Sequence, residues 1–220
     1  MVRSRKLDTT EQERLRALFA YEARLYAQGA RIVVGVDEVG RGSLAGPVSA
    51  GAVVLGADWH PVPGLDDSKR LTPARREEVA TELKECVQHW HVAHVGASVI
   101  DERGLMYALR QAFTEAVDGL MLDALPDYVL LDGRPLRLFE HEVALVKGDS
   151  CVAAIAAASV LAKVERDALM CAADERYPGY GFAGHKGYGS AAHREAIAKK
   201  GLSPFHRRSF CSHFLQEPLF

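Results

Sequence analysis

Residues 31–47 read RIVVGVDEVGRGSLAGP, and no other stretch constrains the chain as much. Ile32, Val33, Val34 and Val36 form a β-branched run suited to a buried strand. Two acids, Asp37 and Glu38, end the run. A glycine-rich turn follows, Gly40-Arg41-Gly42-Ser43, closed by Gly46-Pro47. Carboxylates carried inward need a compensating partner, and a divalent cation is the usual one. The alternative is a pair of solvated turn acids, since Asp favours turns. The stretch also approaches the phosphate-binding pattern G-x4-G-K-[ST], starting at Gly35, but departs where the chemistry lies. Arg41 replaces the lysine, Gly42 holds the hydroxyl position and Ser43 comes one residue late. Acids at 37 and 38 would also repel a phosphate inside such a loop.

The chain has 220 residues, room for one large domain or a domain with a small appendage. Its formal net charge of −2 excludes a polyelectrolyte binder, so any nucleic-acid surface must be a local patch. Cys86, Cys151, Cys171 and Cys211 form no C-x-x-C pair and no zinc-finger spacing, which predicts reduced thiols. No apolar core follows the basic N-terminus and no run approaches the length of a membrane span. A cytoplasmic protein with no membrane association is expected, and a monomer.

Thr9 with Gln12 fits a capping box, and Leu15, Leu18, Phe19, Ala23 and Tyr26 predict a helix over 9–28. Residues 48–55 read as a second strand, antiparallel to the first. A polar loop at 57–71 contains Asp66-Asp67-Ser68-Lys69-Arg70 and leads into a helix capped by Thr72. A third strand is predicted over 90–99, then a helix capped by Asp101. Asp127 to Asp132 reads as a fourth strand, and Val143, Leu145 and Val146 as a fifth. An alanine-rich helix spans 152–173, with Lys163, Glu165, Arg166 and Asp167 expected on an exposed or semi-exposed face. A glycine- and tyrosine-rich loop, YPGYGFAGHKGYG, fills 177–189. A last helix runs from the cap Ser190 to Gly201. This order predicts a mixed α/β sheet covered by helices, with a helical C-terminal lobe.

Asp37, Glu38, Asp132 and Asp149 share one context: each follows an apolar strand-like segment and lies beside a glycine turn. If those strand ends converge, the acids meet and raise one another's pKa unless cations intervene. Mg2+ and Mn2+ favour carboxylate oxygens. Two such ions roughly 3.5–4 Å apart are a recurring device for phosphodiester chemistry. Taken singly, Asp132 and Asp149 read as turn formers. Between 183 and 213 lie Lys186, Arg194, Lys199, Lys200, Arg207 and Arg208 against the single acid Glu195. Such a patch fits a phosphate backbone, with Tyr180 and Tyr188 available to stack on a base or sugar. The other reading is a solvated basic helix with both tyrosines buried. His89, His91 and His94 do not share one strand face, so a polar sheet face is expected rather than a zinc site.

The chain resembles the type 2 ribonucleases H (ribonuclease HII). The motifs run in order from about Arg31 to Phe210: DEVGRGSLAGPV (37–48), DDSKRLT (66–72), LLDG (130–133), VKGDS (146–150), IAAASVLAKVERD (155–167), YPGYGFAGHKGYG (177–189) and SPFHRRSF (203–210). The resemblance implies a ribonuclease H-like fold: a mixed five-stranded sheet flanked by helices (31–176), a helical extension before it (1–30) and a helical lobe after it (177–220). It implies a metal-dependent endoribonuclease acting on RNA–DNA hybrids and cutting 5′ of single ribonucleotides embedded in duplex DNA, leaving 3′-hydroxyl and 5′-phosphate ends. The cofactor would be Mg2+ or Mn2+. Asp37, Glu38 and Asp132 resemble the metal-binding carboxylates, and Asp149 the fourth active-site acid. Gly40-Arg41-Gly42 resembles the motif that reads the 2′-hydroxyl, Tyr188 the tyrosine that stacks on the following sugar, and Lys69 a lysine near substrate phosphates. Asp66 stands where many relatives carry Asn, and the chain also departs near Arg103-Gly104-Leu105 and over 151–154. A catalytically silent nucleic-acid binder on the same fold is the alternative.

Overall fold

A computed structural model describes residues 8–212. The basic residues 1–7 and the tail 213–220, with its apolar Pro218-Leu219-Phe220, lie outside the described residues. Five strands form one mixed sheet: β1 (Val33–Val39), β2 (Val48–Val54), β3 (His89–Val95), β4 (Tyr128–Asp132) and β5 (Glu142–Leu145), in the order β3-β2-β1-β4-β5. β1 pairs antiparallel with β2 and parallel with β4, and β4 pairs parallel with β5. The short β1–β2 connection permits the antiparallel hairpin. The parallel pairs are reached by longer crossovers, as parallel pairing requires.

One face of the sheet is covered by α3 (Ala97–Arg103) and α4 (Leu105–Asp118). Ala108, Leu109, Ala112, Phe113, Ala116 and Val117 recur at helical spacing and pack on Val34, Val36, Ala50, Ala52 and Leu131. The other face carries α5 (Ala153–Arg176), flanked by α1 (Thr9–Ala27) and α2 (Pro73–Cys86). The first half of α5 is buried all round because it lies between the sheet and these two helices. Its alanines let it approach closely. A Cβ on Gly35 would sit 2.3 Å from the Ala154 carbonyl carbon, and one on Gly51 2.5 Å from the Ala158 oxygen. Glycine is required at both positions by contact, not by a turn.

The remaining elements build the C-terminal lobe: α6 (Phe182–His185), α7 (Ala191–Lys200) and α8 (Arg208–Cys211). Ala45, Met170, Ala173, Tyr180 and Phe182 form its small core, with Phe205 packed against it. Among the described residues, no helix is long and apolar enough to cross a membrane. The four cysteines are free.

Several boundaries differ from expectation. Asp8, not Thr9, caps α1, accepting from the Glu11 amide. The third strand stops at Val95. The helix expected from Asp101 begins at Ala97 and is broken at Gly104, whose φ of 86° ends α3 before α4 starts. Asp101 caps the other end of the chain instead, accepting from the Arg208 and Ser209 amides and the Ser209 hydroxyl. Tyr180 is buried beneath the lobe, stacked on Phe182 and donating to the Gly201 carbonyl, so it is not a surface for a base. Arg166 and Arg207 are both 0% exposed. The first leaves the expected exposed face of α5, and the second leaves the basic patch. His94 shares a hydrogen bond with Ser49 Oγ at 2.7 Å.

Candidate active site

The parallel register explains how the acids meet. Val36 on β1 pairs with Leu131 on β4, and one step beyond them lie Asp37 and Asp132. Asp37 and Glu38, being consecutive, leave β1 on opposite sides of its end. Asp132 accepts from the Gly148 amide at 2.7 Å, which ties β4 to the 3-10 turn Gly148–Ser150 and sets Asp149 beside it. An open cleft of about 240 Å3 is lined by Asp37, Glu38 and Asp132, by Gly40-Arg41-Gly42, and by Lys69 and Tyr188. Asp149 reaches this group through Lys69, whose Nζ lies 2.9 Å from Asp149 Oδ2. The structure therefore brings all nine expected site residues to one end of the sheet.

Burial dominates the electrostatics. It pushes Asp37 up to about 8; the Ser159 hydrogen bond resists, while the charges of Glu38 and Asp132 push further. Glu38 is raised by burial against the pull of Arg41, which lies 3.5 Å away. Asp132 is raised by burial and then by Asp149. Partial burial works against the Lys69 ammonium, but Asp149 outweighs it and holds the lysine at about 12. These acids are short of positive charge, and the nearest cations are the chain's own Lys69 and Arg41. Among the described residues, no three His, Cys, Asp or Glu side chains stand close enough together to hold a metal ion as they are placed. The donor set is nevertheless all carboxylate oxygen at an open cleft, and it fits a hard divalent ion that keeps waters of its own.

The glycine turn is held from behind by two buried guanidiniums. Arg166 donates to the carbonyls of Pro47, Lys186 and Ala45 and to the Ser43 hydroxyl. Arg207 donates to the carbonyls of Gly40, Arg41 and Gly46. Every partner is a neutral oxygen, most of them on the turn. Burial pushes Arg207 down to about 9, and the like charge of Arg166 adds to it. Gly40 has φ of 82°, and a Cβ there would meet Arg166 Nε at 2.2 Å, so both conformation and contact demand glycine. Sequence reasoning missed this pair. It also missed Ser68 and Ser159, joined at 2.9 Å beside Asp37, and Lys163, which lines the cleft while bound to Asp167. One signal was present: Ala158, Ala162, Arg166 and Met170 fall four apart, along the buried stripe of α5.

The Ribonuclease HII family model matches residues 34–213. Ribonuclease HII of Geobacillus kaustophilus is 48% identical over 199 residues, covering 90% of this chain and 75% of that protein. Ribonuclease HII of Moorella thermoacetica is 47% identical over 201 residues, covering 91% and 96%. Among solved structures, ribonuclease H2 from Pyrococcus horikoshii aligns with a TM-score of 0.66 at 25% identity, over 84% of this chain and 99% of that one.

Proposed function

The chain belongs to the ribonuclease HII family and is an endoribonuclease, and on that premise we propose that it cuts the RNA strand of RNA–DNA hybrids and the 5′ side of single ribonucleotides in duplex DNA. The products would carry 3′-hydroxyl and 5′-phosphate ends. The observation that carries the reading is that Asp37 and Asp132 lie one step beyond the paired Val36 and Leu131 of parallel β1 and β4, in the same cleft as the glycine turn and Tyr188.

Asp37, Glu38, Asp132 and Asp149 would hold Mg2+ or Mn2+, two ions by the charge of the set. Bound there, such ions supply charge stabilisation at the phosphodiester and a more acidic water. The chain's own residues do the rest. Asp37, buried and raised, is the acid with most to gain from a cation. Gly40-Arg41-Gly42, fixed by Arg207, presents a backbone without side-chain bulk to the sugar edge, where the 2′-hydroxyl distinguishes RNA from DNA. Tyr188, 39% exposed, offers a ring to the next sugar. Lys69 gives a phosphate an ammonium once Asp149 is otherwise engaged. Arg194, Lys199 and Arg208, with Arg207 removed from the patch, supply weaker phosphate contacts along the lobe. A cytoplasmic, monomeric enzyme is part of the same reading.

The test uses a labelled DNA duplex with one ribonucleotide, incubated with Mg2+, with Mn2+ or with chelator. The expected result is a metal-dependent cut on the 5′ side of that nucleotide. Cutting of a continuous hybrid alone would keep the acids and discard the junction reading of the glycine turn and Tyr188.

A further inference from the structure

We propose that His193 and His206 are positioning residues for Tyr188: they form a neutral relay, with protons ordered in one direction from Ser203 to the Tyr188 carbonyl. The functional half of this rests on the reading of Tyr188 as the residue that meets the sugar.

The two rings lie inside the C-terminal lobe, 0% and 2% exposed. Ser190 caps α7 and so sets His193 in its first turn, facing inward with Ile197. His206 enters from the loop before α8. Their Nε2 atoms are 3.1 Å apart. His193 Nδ1 lies 2.9 Å from the Tyr188 carbonyl oxygen, and His206 Nδ1 lies 2.8 Å from Ser203 Oγ and 3.0 Å from the Ser203 amide.

These contacts permit one proton arrangement. A carbonyl only accepts, so His193 carries its proton on Nδ1 and accepts on Nε2. His206 must then donate from Nε2, which leaves its Nδ1 as an acceptor. The Ser203 amide can only donate, and it meets that acceptor. The Ser203 hydroxyl donates there as well, and in turn accepts from the Phe205 amide at 3.3 Å. Each link polarises the next in the same sense. A second proton on either ring would set N–H against N–H. Burial lowers both rings, and the neighbouring histidines add to it. His185, stacked on His193 at 4.2 Å, has its own nitrogens committed to the Tyr180 carbonyl and the Gly187 amide.

The relay ends on the peptide unit that carries the cleft tyrosine. The Tyr188 carbonyl is held between His193 and the Ser190 amide at 2.8 Å, while its own amide donates to the His185 carbonyl at 2.9 Å. The backbone of Tyr188 is thereby pinned on both sides, although its ring stands at the cleft wall with Arg166 Cζ 5.8 Å from the centroid. A ring that must meet a sugar face cannot tolerate drift, since about 1 Å of misplacement costs up to roughly a hundredfold in rate.

The first arm of the test is nitrogen-15 NMR of the full-length protein, labelled at histidine, near neutral pH. His193 is expected as the Nδ1–H tautomer and His206 as Nε2–H. His193 found as Nε2–H, or either ring found as imidazolium, overturns the relay. The second arm measures junction cutting. His193→Leu is expected to slow it by up to roughly tenfold, no more than loss of the Tyr188 ring itself. His193→Asn, whose amide N–H falls near the place of Nδ1–H, should recover most of that loss. In a Tyr188→Ala background, His193→Leu should cost nothing more, because the two act through one element. Equal losses in both backgrounds would mean that the relay merely supports the lobe, and the positioning role would fall. Should His193→Leu fail to fold, His193→Gln, which moves the donor away from the carbonyl, takes its place. Undiminished junction cutting by Tyr188→Ala alone would sink the sugar reading and with it the role, whereas the tautomers still decide whether the relay exists.

Discussion

The acid edge of the sheet and the lobe behind the glycine turn bury polar groups in opposite ways. At the edge, Asp37 is 4% exposed and still short of positive charge, and burial drives its pKa up to about 8. In the lobe, Arg207 is 0% exposed, yet it donates to three carbonyls, and His206 is satisfied on both nitrogens. The lobe is complete as it stands, which makes it rigid. The edge leaves its carboxylates under-compensated. A cleft short of positive charge is thus hung from a frame whose polar groups are paired.

The sharpest way to break this contrast is to neutralise the edge. Asp37→Asn or Asp132→Asn should reduce cleavage by at least about a thousandfold, the scale of losing one preorganised electrostatic element. The folded protein and its affinity for duplex should survive, because the substitution removes a charge that the fold itself disfavours. Gel-based cleavage beside filter binding measures both, and retained turnover would refute the assignment of these acids.

Breaking the frame should do the reverse. Arg207→Met takes the donor from the Arg41 and Gly46 carbonyls, leaves the Gly40 carbonyl only the Ser43 amide, and should cost roughly 3 kcal/mol of stability, read by denaturant unfolding, because buried orphans cost about 1–3 kcal/mol apiece less what water recovers. Unchanged stability would mean that the turn holds its own shape.

Glu22 tests whether the edge's behaviour follows from burial alone. It does not line the cleft; on α1, 1% exposed, it accepts from the Ala154 amide at the start of α5 while its Oε2 has no partner. Burial raises it from 4.5 to about 7. A raised acid favours the protonated fold, so its contribution is fully present below pH 4.5 and is lost as pH rises through about 7. The stability of wild type relative to Glu22→Gln should therefore fall between these values, by up to about 3 kcal/mol. A difference independent of pH would show that the carboxylate finds compensation on α5.

The smallest expected effect sharpens the comparison at the boundary between the two regions. Tyr188→Ala should lower junction cutting by roughly tenfold, the scale of one lost stacking contact. Cutting within a long hybrid should change less, since phosphate contacts are kept. Equal losses on both substrates would argue against a sugar-specific role.

The edge was legible in the sequence because its chemistry violates local expectation. Acids ending apolar strands, beside glycines, stand out at Asp37, Glu38 and Asp132. The five strands and the Ser190 cap follow from period and capping, and the family motifs carried Tyr188 and Lys69. The frame was not legible, because nothing local marks it. Arg166 sits in KVERD, which reads as a solvated face, and Arg207 stands between His206 and Arg208 in a loop with no periodicity. All their partners but Lys186 lie more than a hundred residues away, so only tertiary contact distinguishes them from surface charges. Gly104 illustrates a smaller miss: a single positive φ splits what hydrophobic spacing reads as one helix.

The grip of Arg207 on the Gly40 and Arg41 carbonyls spans 167 and 166 residues. During synthesis the acids of β1 leave the ribosome first, and the side chain that fixes the adjacent turn follows Arg41 by 166 residues. The nascent chain therefore carries its carboxylates long before it can present them in working order. A fragment ending short of position 207 would contain all four acids and still lack the set turn. In this chain the order of synthesis thus separates the acids from the side chain that sets the turn beside them.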